Sequence, residues 1–264
     1  STGGELLPIM EKRNSMLFNL FIIQLFFTSM PPELKFGCQQ FRAIGCTVVN
    51  AGWQAKDVHS MRNQVMPETT ARAASLQRTT KETDIRLTLV LDGTGKGVIH
   101  TGVGFLDHML TLMTVHGFFD LEIAAQGDVE VDDHHTVEDV GICLGQAFAQ
   151  ALGDKAGICR YGHAYVPMDE TLARVCVDYS NRPYLHYQVE VYEQKIGTFD
   201  VPLAKEFFRA FALHAGVTLH IDVLHGENGH HILEAVFKAL GRALAVAASI
   251  HPLVKGQLSS KGIL

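Results

Sequence analysis

Residues 134–139 read His134-His135-Thr136-Val137-Glu138-Asp139, and residues 230–235 read His230-His231-Ile232-Leu233-Glu234-Ala235. A His-His-x-x-Glu segment that occurs twice, 96 residues apart, is more than packing requires. Neutral imidazole and carboxylate are the usual ligands of Mn, Fe and Zn. The pair therefore suggests a duplicated unit that builds a metal centre from both copies.

Further matches extend outward from these segments. Glu82-Thr83-Asp84-Ile85-Arg86 corresponds to Glu170-Thr171-Leu172-Ala173-Arg174 at an offset of 88, and the run from His116 to Ile123 corresponds to His214 to Ile221 at an offset of 98. Three matches in one order with near-equal offsets mean an internal duplication. Helices are expected over 104–117, closed by Gly117, over 134–152, over 202–215 and over 230–248. Asp132 or Asp133 is expected to cap the second of these. Strands are expected over 85–91, 119–125, 170–179, 184–192 and 217–223. Each half then reads β-α-β-α with an extra strand or two, and two such halves give an α+β domain with helices on antiparallel sheets.

On a helix, His134 and Glu138 lie four residues apart and share a face, so one ion can take both. His135 is rotated by about 100° from His134 and cannot easily reach that ion. Adjacent histidines thus favour two metals. Each site would take an i, i+4 pair from one copy and the neighbouring histidine from the other, within a chain or across subunits. His108 is polar in an apolar helix, either a ligand or a satisfied core histidine, and its counterpart in the repeat is Glu206.

Composition narrows the class. The chain has 264 residues, 47% of them hydrophobic, and a formal charge of −6, which argues against a nucleic-acid partner. Five cysteines without a C-x-x-C argue against a disulfide framework and for a reducing compartment. The apolar stretch 17–27 is too short to span a membrane comfortably. It follows Lys12 and Arg13 as a signal core would, but no small-residue cleavage site follows closely. Residues 1–72 are expected to be an N-terminal extension, poorly ordered or foreign to the domain that starts near residue 73. The two repeats span about 73–160 and 161–264. A cytoplasmic location is expected, or an organellar one if residues 1–72 are a transit segment.

The surrounding residues sharpen the picture. Arg78-Thr-Thr-Lys-Glu82-Thr, Gly104-Phe-Leu-Asp-His108-Met-Leu, Asp133-His-His-Thr-Val-Glu-Asp139, Pro167-Met-Asp-Glu170, Gly229-His-His-Ile-Leu-Glu234-Ala and Ser259-Ser-Lys261-Gly occur in this order. In these six segments, residues 73–264 resemble the imidazoleglycerol-phosphate dehydratases of histidine biosynthesis. The resemblance implies an α+β fold of internally duplicated halves, with antiparallel sheets packed on a helical layer (ribosomal protein S5 domain 2-like). It implies a carbon-oxygen lyase that converts D-erythro-imidazole-glycerol phosphate to imidazole-acetol phosphate and water. It also implies two Mn2+ ions per active site, lying between the subunits of a large closed homo-oligomer, a 24-mer in the family.

Carried over by residue, the implied metal ligands are His108, His134, His135, Glu138, His230, His231 and Glu234. Many family members have His where this chain has Glu206, and a carboxylate there is also a reasonable Mn ligand. Glu82 is the first candidate for the acid/base that moves the substrate's proton, and Glu170, its repeat equivalent, is the second. His116 is a candidate pocket residue. Arg160 and Arg182 resemble the family's phosphate-side arginines, with Ser259 and Lys261 adding a hydroxyl and a point charge. The competing readings are a two-metal hydrolase and a metal-binding protein without catalysis.

Overall fold

A computed structural model describes residues 71–264. The expectations for residues 1–70, including the apolar stretch 17–27, lie outside the described residues. The first half runs β1 (Ala73–Thr79), β2 (Thr83–Val90), β3 (Gly97–His100), α1 (Gly104–Gly117), β4 (Asp120–Gly127) and α2 (His134–Leu152). The second half runs β5 (Tyr161–Met168), β6 (Thr171–Asp178), β7 (Tyr184–Gln188), a small β8–β9 hairpin (Lys195–Ile196 and Phe199–Asp200), α3 (Leu203–Ala215), β10 (Thr218–His225) and α4 (Gly229–Ala248). The first half therefore has three strands before its first helix and the second has five, two of them the small hairpin, so both halves carry strands beyond a bare β-α-β-α unit.

The duplication is complete at the level of topology. One sheet has the order β1-β2-β4-β3 and the other β5-β6-β10-β7. In each, two antiparallel pairings are followed by one parallel edge pairing, β3 with β4 and β7 with β10. The alternation in β6, with Thr171, Ala173, Val175 and Val177 buried and their neighbours half-buried, is that of a strand with one face on a core. The fold is the α+β arrangement expected, with largely antiparallel sheets against helices.

The halves exchange helix contacts, while each helix stays on its own sheet. α2 lies on β1 and β2 but also packs along α3, and α4 lies on β5 and β6 but also packs along α1. Glycine permits both approaches. A methyl group at Gly145 of α2 would stand 2.7 Å from the Phe211 carbonyl oxygen of α3. Gly241 of α4 meets the Met113 carbonyl of α1 in the same way, at the equivalent repeat position. Phe119, Phe148 and Phe211 fill the space beside the first crossing in edge-to-face pairs at 5.1 and 5.5 Å. All three are buried, which stabilises by about 1.5–3 kcal/mol for each ring.

Helix α1 ends at Gly117 as expected; the left-handed residue that follows is Phe118, at φ 57°, while Gly117 is buried, and a side chain there would strike Phe119. One local expectation needs correction. The expected strand over 184–192 stops at Gln188, where pairing with β10 ends at Asp222.

If the helix exchange holds the halves together, Gly145→Val should destabilise the protein by about 1–3 kcal/mol through overpacking. Urea denaturation reads this, and an unchanged midpoint would show that α2 and α3 are not in close approach.

Candidate functional site

The starts of α2 and α4 set the site, and both are capped two residues before their first histidine. The Asp132 carboxylate accepts from the His134 backbone N–H at 2.8 Å. Asn228 accepts from the backbone N–H groups of His230 and His231 at 2.9 and 3.3 Å. These caps fix the first turns and with them the histidine directions. Adjacent rings then diverge: His134 and His135 are 85° apart in plane, and His230 and His231 88°.

Helix exchange brings His108 on α1 to His230 and Glu234 on α4. The Glu234 Oε2 atom is 3.2 Å from His230 Nε2 and 3.5 Å from His108 Nε2. The other oxygen, Oε1, takes the Lys238 ammonium at 2.5 Å. Burial pushes the Glu234 pKa up, but the Lys238 ammonium together with hydrogen bonds from His230 and His108 holds the carboxyl below its ordinary value. The lysine occupies Oε1 and leaves Oε2 facing both imidazoles. Among the described residues, His108, His230 and Glu234 form the one group whose potential ligand atoms all lie within 4.8 Å of one another.

The equivalent place in the other half is built differently. His134 Nε2 lies 3.9 Å from Glu138 Oε2, as the i, i+4 spacing requires. Glu206 on α3 stands where His108 stands on α1, and Arg209 pairs with it one turn on. The same guanidinium reaches Glu138 Oε1 at 4.0 Å. Sequence reasoning missed Arg209, although its i, i+3 spacing from Glu206 was the available signal.

The remaining histidines of the two motifs face other carboxylates. His231 Nδ1 lies 2.8 Å from Glu170 Oε2, while Glu170 Oε1 accepts from the backbone of Glu227 and Asn228 at 3.2 and 3.0 Å. The bond from His231, followed by that from Asn228, holds the Glu170 carboxyl far below the usual carboxylate range. His135 Nδ1 is 3.1 Å from Asp128, which raises its pKa, and its Nε2 is 3.9 Å from Glu82. Glu82 itself is half exposed, on the turn between β1 and β2. Asp139 anchors that turn to α2, accepting from Thr83 Oγ1 at 2.5 Å and Arg78 Nε at 3.0 Å. The pseudo-equivalent glutamates thus differ: Glu170 is fixed and Glu82 is free.

A second neighbourhood gathers cationic groups. Arg160 grips Asp178 through Nε at 2.7 Å and Nη2 at 3.1 Å, and its Nη1 donates to the Leu258 carbonyl at 2.7 Å. Arg182, well exposed, lies 3.6 Å from the same aspartate. Leu258 precedes Ser259, whose hydroxyl donates to the Ile263 carbonyl at 2.9 Å and accepts from the Lys261 backbone N–H at 3.2 Å. Arg160 therefore ties the C-terminal segment to β6, and Arg182 is the arginine with free donors. His116 lies two turns beyond His108 on α1, beside Arg242 and His163 in a separate cleft. Burial first, then Lys238 and Arg242, depress its pKa.

A fold built from two exchanged halves, with a His/His/Glu cluster at their junction, defines a class of duplicated α+β proteins with a metal-type donor set. Residues 101–244 match the family model described as imidazoleglycerol-phosphate dehydratase. Proteins of that name from Desulfotalea psychrophila and a Geobacillus species are 62% and 60% identical over 194 and 193 residues. These alignments cover 73% of this chain and 96% and 99% of the relatives. The crystal structure of imidazoleglycerol-phosphate dehydratase from Staphylococcus aureus matches with a TM-score of 0.62 and 47% identity, over 68% of this chain and 99% of that one. The Pyrococcus furiosus structure, a complex with (S)-C348, gives 0.63 and 42%, over 72% and 100%. The chain belongs to the imidazoleglycerol-phosphate dehydratase family, hydro-lyases of histidine biosynthesis. No helix among the described residues is long and apolar enough to cross a membrane.

Removing the partner of a buried charge costs about 3–5 kcal/mol. Asp178→Ala should therefore destabilise the fold on that scale in urea denaturation. A loss below about 1 kcal/mol, the range of surface pairs, would show that the Arg160 pair is not structural.

Proposed function

We propose that this chain catalyses the Mn-dependent dehydration of D-erythro-imidazole-glycerol phosphate to imidazole-acetol phosphate and water. The observation that carries this reading is the convergence of His108, His230 and Glu234 from opposite halves of the duplication. Two imidazoles and a carboxylate whose free oxygen faces them are a fitting donor set for a divalent ion such as Mn2+. His134, His135, Glu138, Glu206 and His231 would complete two such centres per active site. His135 and His231, which diverge from their neighbours' i, i+4 pairs, would be offered to an adjacent copy in a closed 24-subunit assembly.

Bound at the substrate's imidazole, the ions would supply Lewis acidity, drawing electron density from the ring. The protein's own groups do the rest. Dehydration breaks the C–O bond on the carbon attached to the ring and the C–H bond on the neighbouring carbon. Glu82, half exposed and held only by a 3.9 Å contact with His135, would take that proton as a base. Hydroxide leaves as water once protonated, and the enol that remains becomes the product ketone. Glu170, held by His231, the backbone N–H groups of Glu227 and Asn228 and the Thr171 hydroxyl, would be a positioning residue for His231 and the start of α4. Arg182 would bind the phosphate, with Ser259 and Lys261 beside it, and Arg160 would hold that segment in place. The setting is the cytoplasm.

The test uses the full chain, stripped by chelation, restored with Mn2+ and given imidazole-glycerol phosphate. Product is expected only after Mn2+ is restored, and a folded, reloaded protein that yields none overturns the proposal. His108→Ala, His135→Ala and His231→Ala should each lower both bound Mn and turnover; unchanged Mn content would defeat the shared-centre arrangement. Arg182→Ala should raise KM by about tenfold, the loss of a charge-assisted hydrogen bond. An unaltered KM counts against its phosphate role.

A further inference from the structure

Asp139, Lys155, Arg160 and Glu234 are the buried charged residues among those described. Asp139 meets Arg78, Arg160 meets Asp178 and Glu234 meets Lys238. Lys155 pairs with no carboxylate among the described residues. It is 3% exposed, in the loop after α2, and its ammonium donates to the side-chain oxygen of Asn181. A buried cation on a neutral acceptor is unfavourable, so packing does not account for a lysine there. Lys155 also sits at φ 61°, in the left-handed region that lysine seldom adopts. Strain of this kind gathers where geometry serves function.

The residue that Lys155 holds comes directly before Arg182, in the turn that follows β6. Asn181 is left-handed too, at φ 55°. Three side chains pin this turn. Ser180 Oγ accepts from the Arg182 backbone N–H at 3.2 Å, Thr218 Oγ1 donates to the Arg182 carbonyl at 2.9 Å, and Lys155 fixes Asn181 from the interior. The Arg182 guanidinium is 69% exposed. Its carboxylate neighbour, Asp178 at 3.6 Å, already accepts from Arg160 on both oxygens.

The repeat shows another way to fix the same turn. Register pairs Asp178 with Thr218 in the second sheet and Val90 with Asp120 in the first, so Thr218 and Asp120 correspond. The counterparts of Asn181 and Arg182 are Gly93 and Thr94. In the first half the Asp120 carboxylate accepts from the backbone N–H groups of Thr94 and Lys96 at 2.7 and 3.0 Å. A carboxylate at position 218 would stand beside Arg182 and compete with an anion for it. The second half has a hydroxyl there and brings Lys155 in from another loop.

We infer that Lys155 is a positioning residue for Arg182: through Asn181 it holds the turn that presents the guanidinium to the substrate's phosphate. This rests on the reading of Arg182 as a phosphate ligand given above. Lys155 itself touches no substrate. Its charge acts in the same sense, because Lys155, Arg160 and Arg182 share the carboxylate of Asp178. Three cations to one carboxylate leave the neighbourhood positive, as binding a phosphate requires.

Steady-state kinetics of the full, Mn-loaded chain tests this. Lys155→Met, which keeps the length of the arm and removes the charge, should raise KM for imidazole-glycerol phosphate by about fivefold or more. The Ki of inorganic phosphate should rise in parallel, with kcat and bound Mn2+ little changed. In an Arg182→Ala background, Lys155→Met should add nothing further to KM. Lys155→Gln carries the same expectations should the methionine variant fail to fold. An unchanged KM in the Lys155 variant would overturn the inference. So would an equal rise with and without Arg182, since the lysine would then support the fold at large. If Arg182→Ala leaves KM unaltered, the phosphate role of Arg182 falls and that of Lys155 with it. If Arg182→Ala raises KM and Lys155→Met does not, only the role of Lys155 falls.

Discussion

The close approach of α1 to α4 sets the separation of His108 from His230 and Glu234, and so sets whether a centre exists at all. That approach depends on Gly241, where the chain has no side chain to hold the Met113 carbonyl away. The reciprocal contact of α2 with α3 uses Gly145 and the Phe211 carbonyl. The two contacts act together, since each half contributes its long helix to one and its short helix to the other. The geometry of the candidate centre is therefore a property of the exchange and belongs to neither half.

The same backbone has been given different chemistry on its two sides. One side offers two imidazoles and a carboxylate, with Lys238 confining Glu234 to a single free oxygen. The other offers Glu206 and Glu138, and Arg209 lies between them. Glu82 and Glu170 diverge likewise, one left free on its turn and the other bonded to His231 and two backbone N–H groups. Duplication gives symmetric positions, and catalysis on an asymmetric substrate needs unlike groups at them.

The four helices were legible in the sequence because their apolar spacing is strong and their caps are ordinary, and the repeat was legible because motif residues recur in register. The strands read less well. β5 contains Gly162 and Pro167, which read as loop. Gly162 is needed there because α4 approaches so closely that a side chain would meet the Ala243 carbonyl. β3 is four residues long at a sheet edge, too short for an alternation signal. At the site, the histidines and their i, i+4 glutamates could be picked out by type and spacing. The partners that set their charge could not: Asp178 meets Arg160 through sheet register, Asp128 meets His135 through the loop between β4 and α2, and Glu170, 61 positions from His231, meets it only where α4 starts beside the β5–β6 turn.

The exchange of helix contacts also bears on how the chain reaches its native state. Residues 73–152 alone would leave the faces of α1 and α2 that meet α4 and α3 open to water, so the first half cannot close a core before the second is made. Its decisive contacts join residues far apart in the chain: Gly145 meets Phe211, 66 positions on, and Met113 meets Gly241, 128 positions on. Contacts of such sequence separation slow folding, because loop closure must precede any gain from them. The protein should therefore fold as one unit, late in synthesis, and its metal-type donors should assemble only at the end of that process.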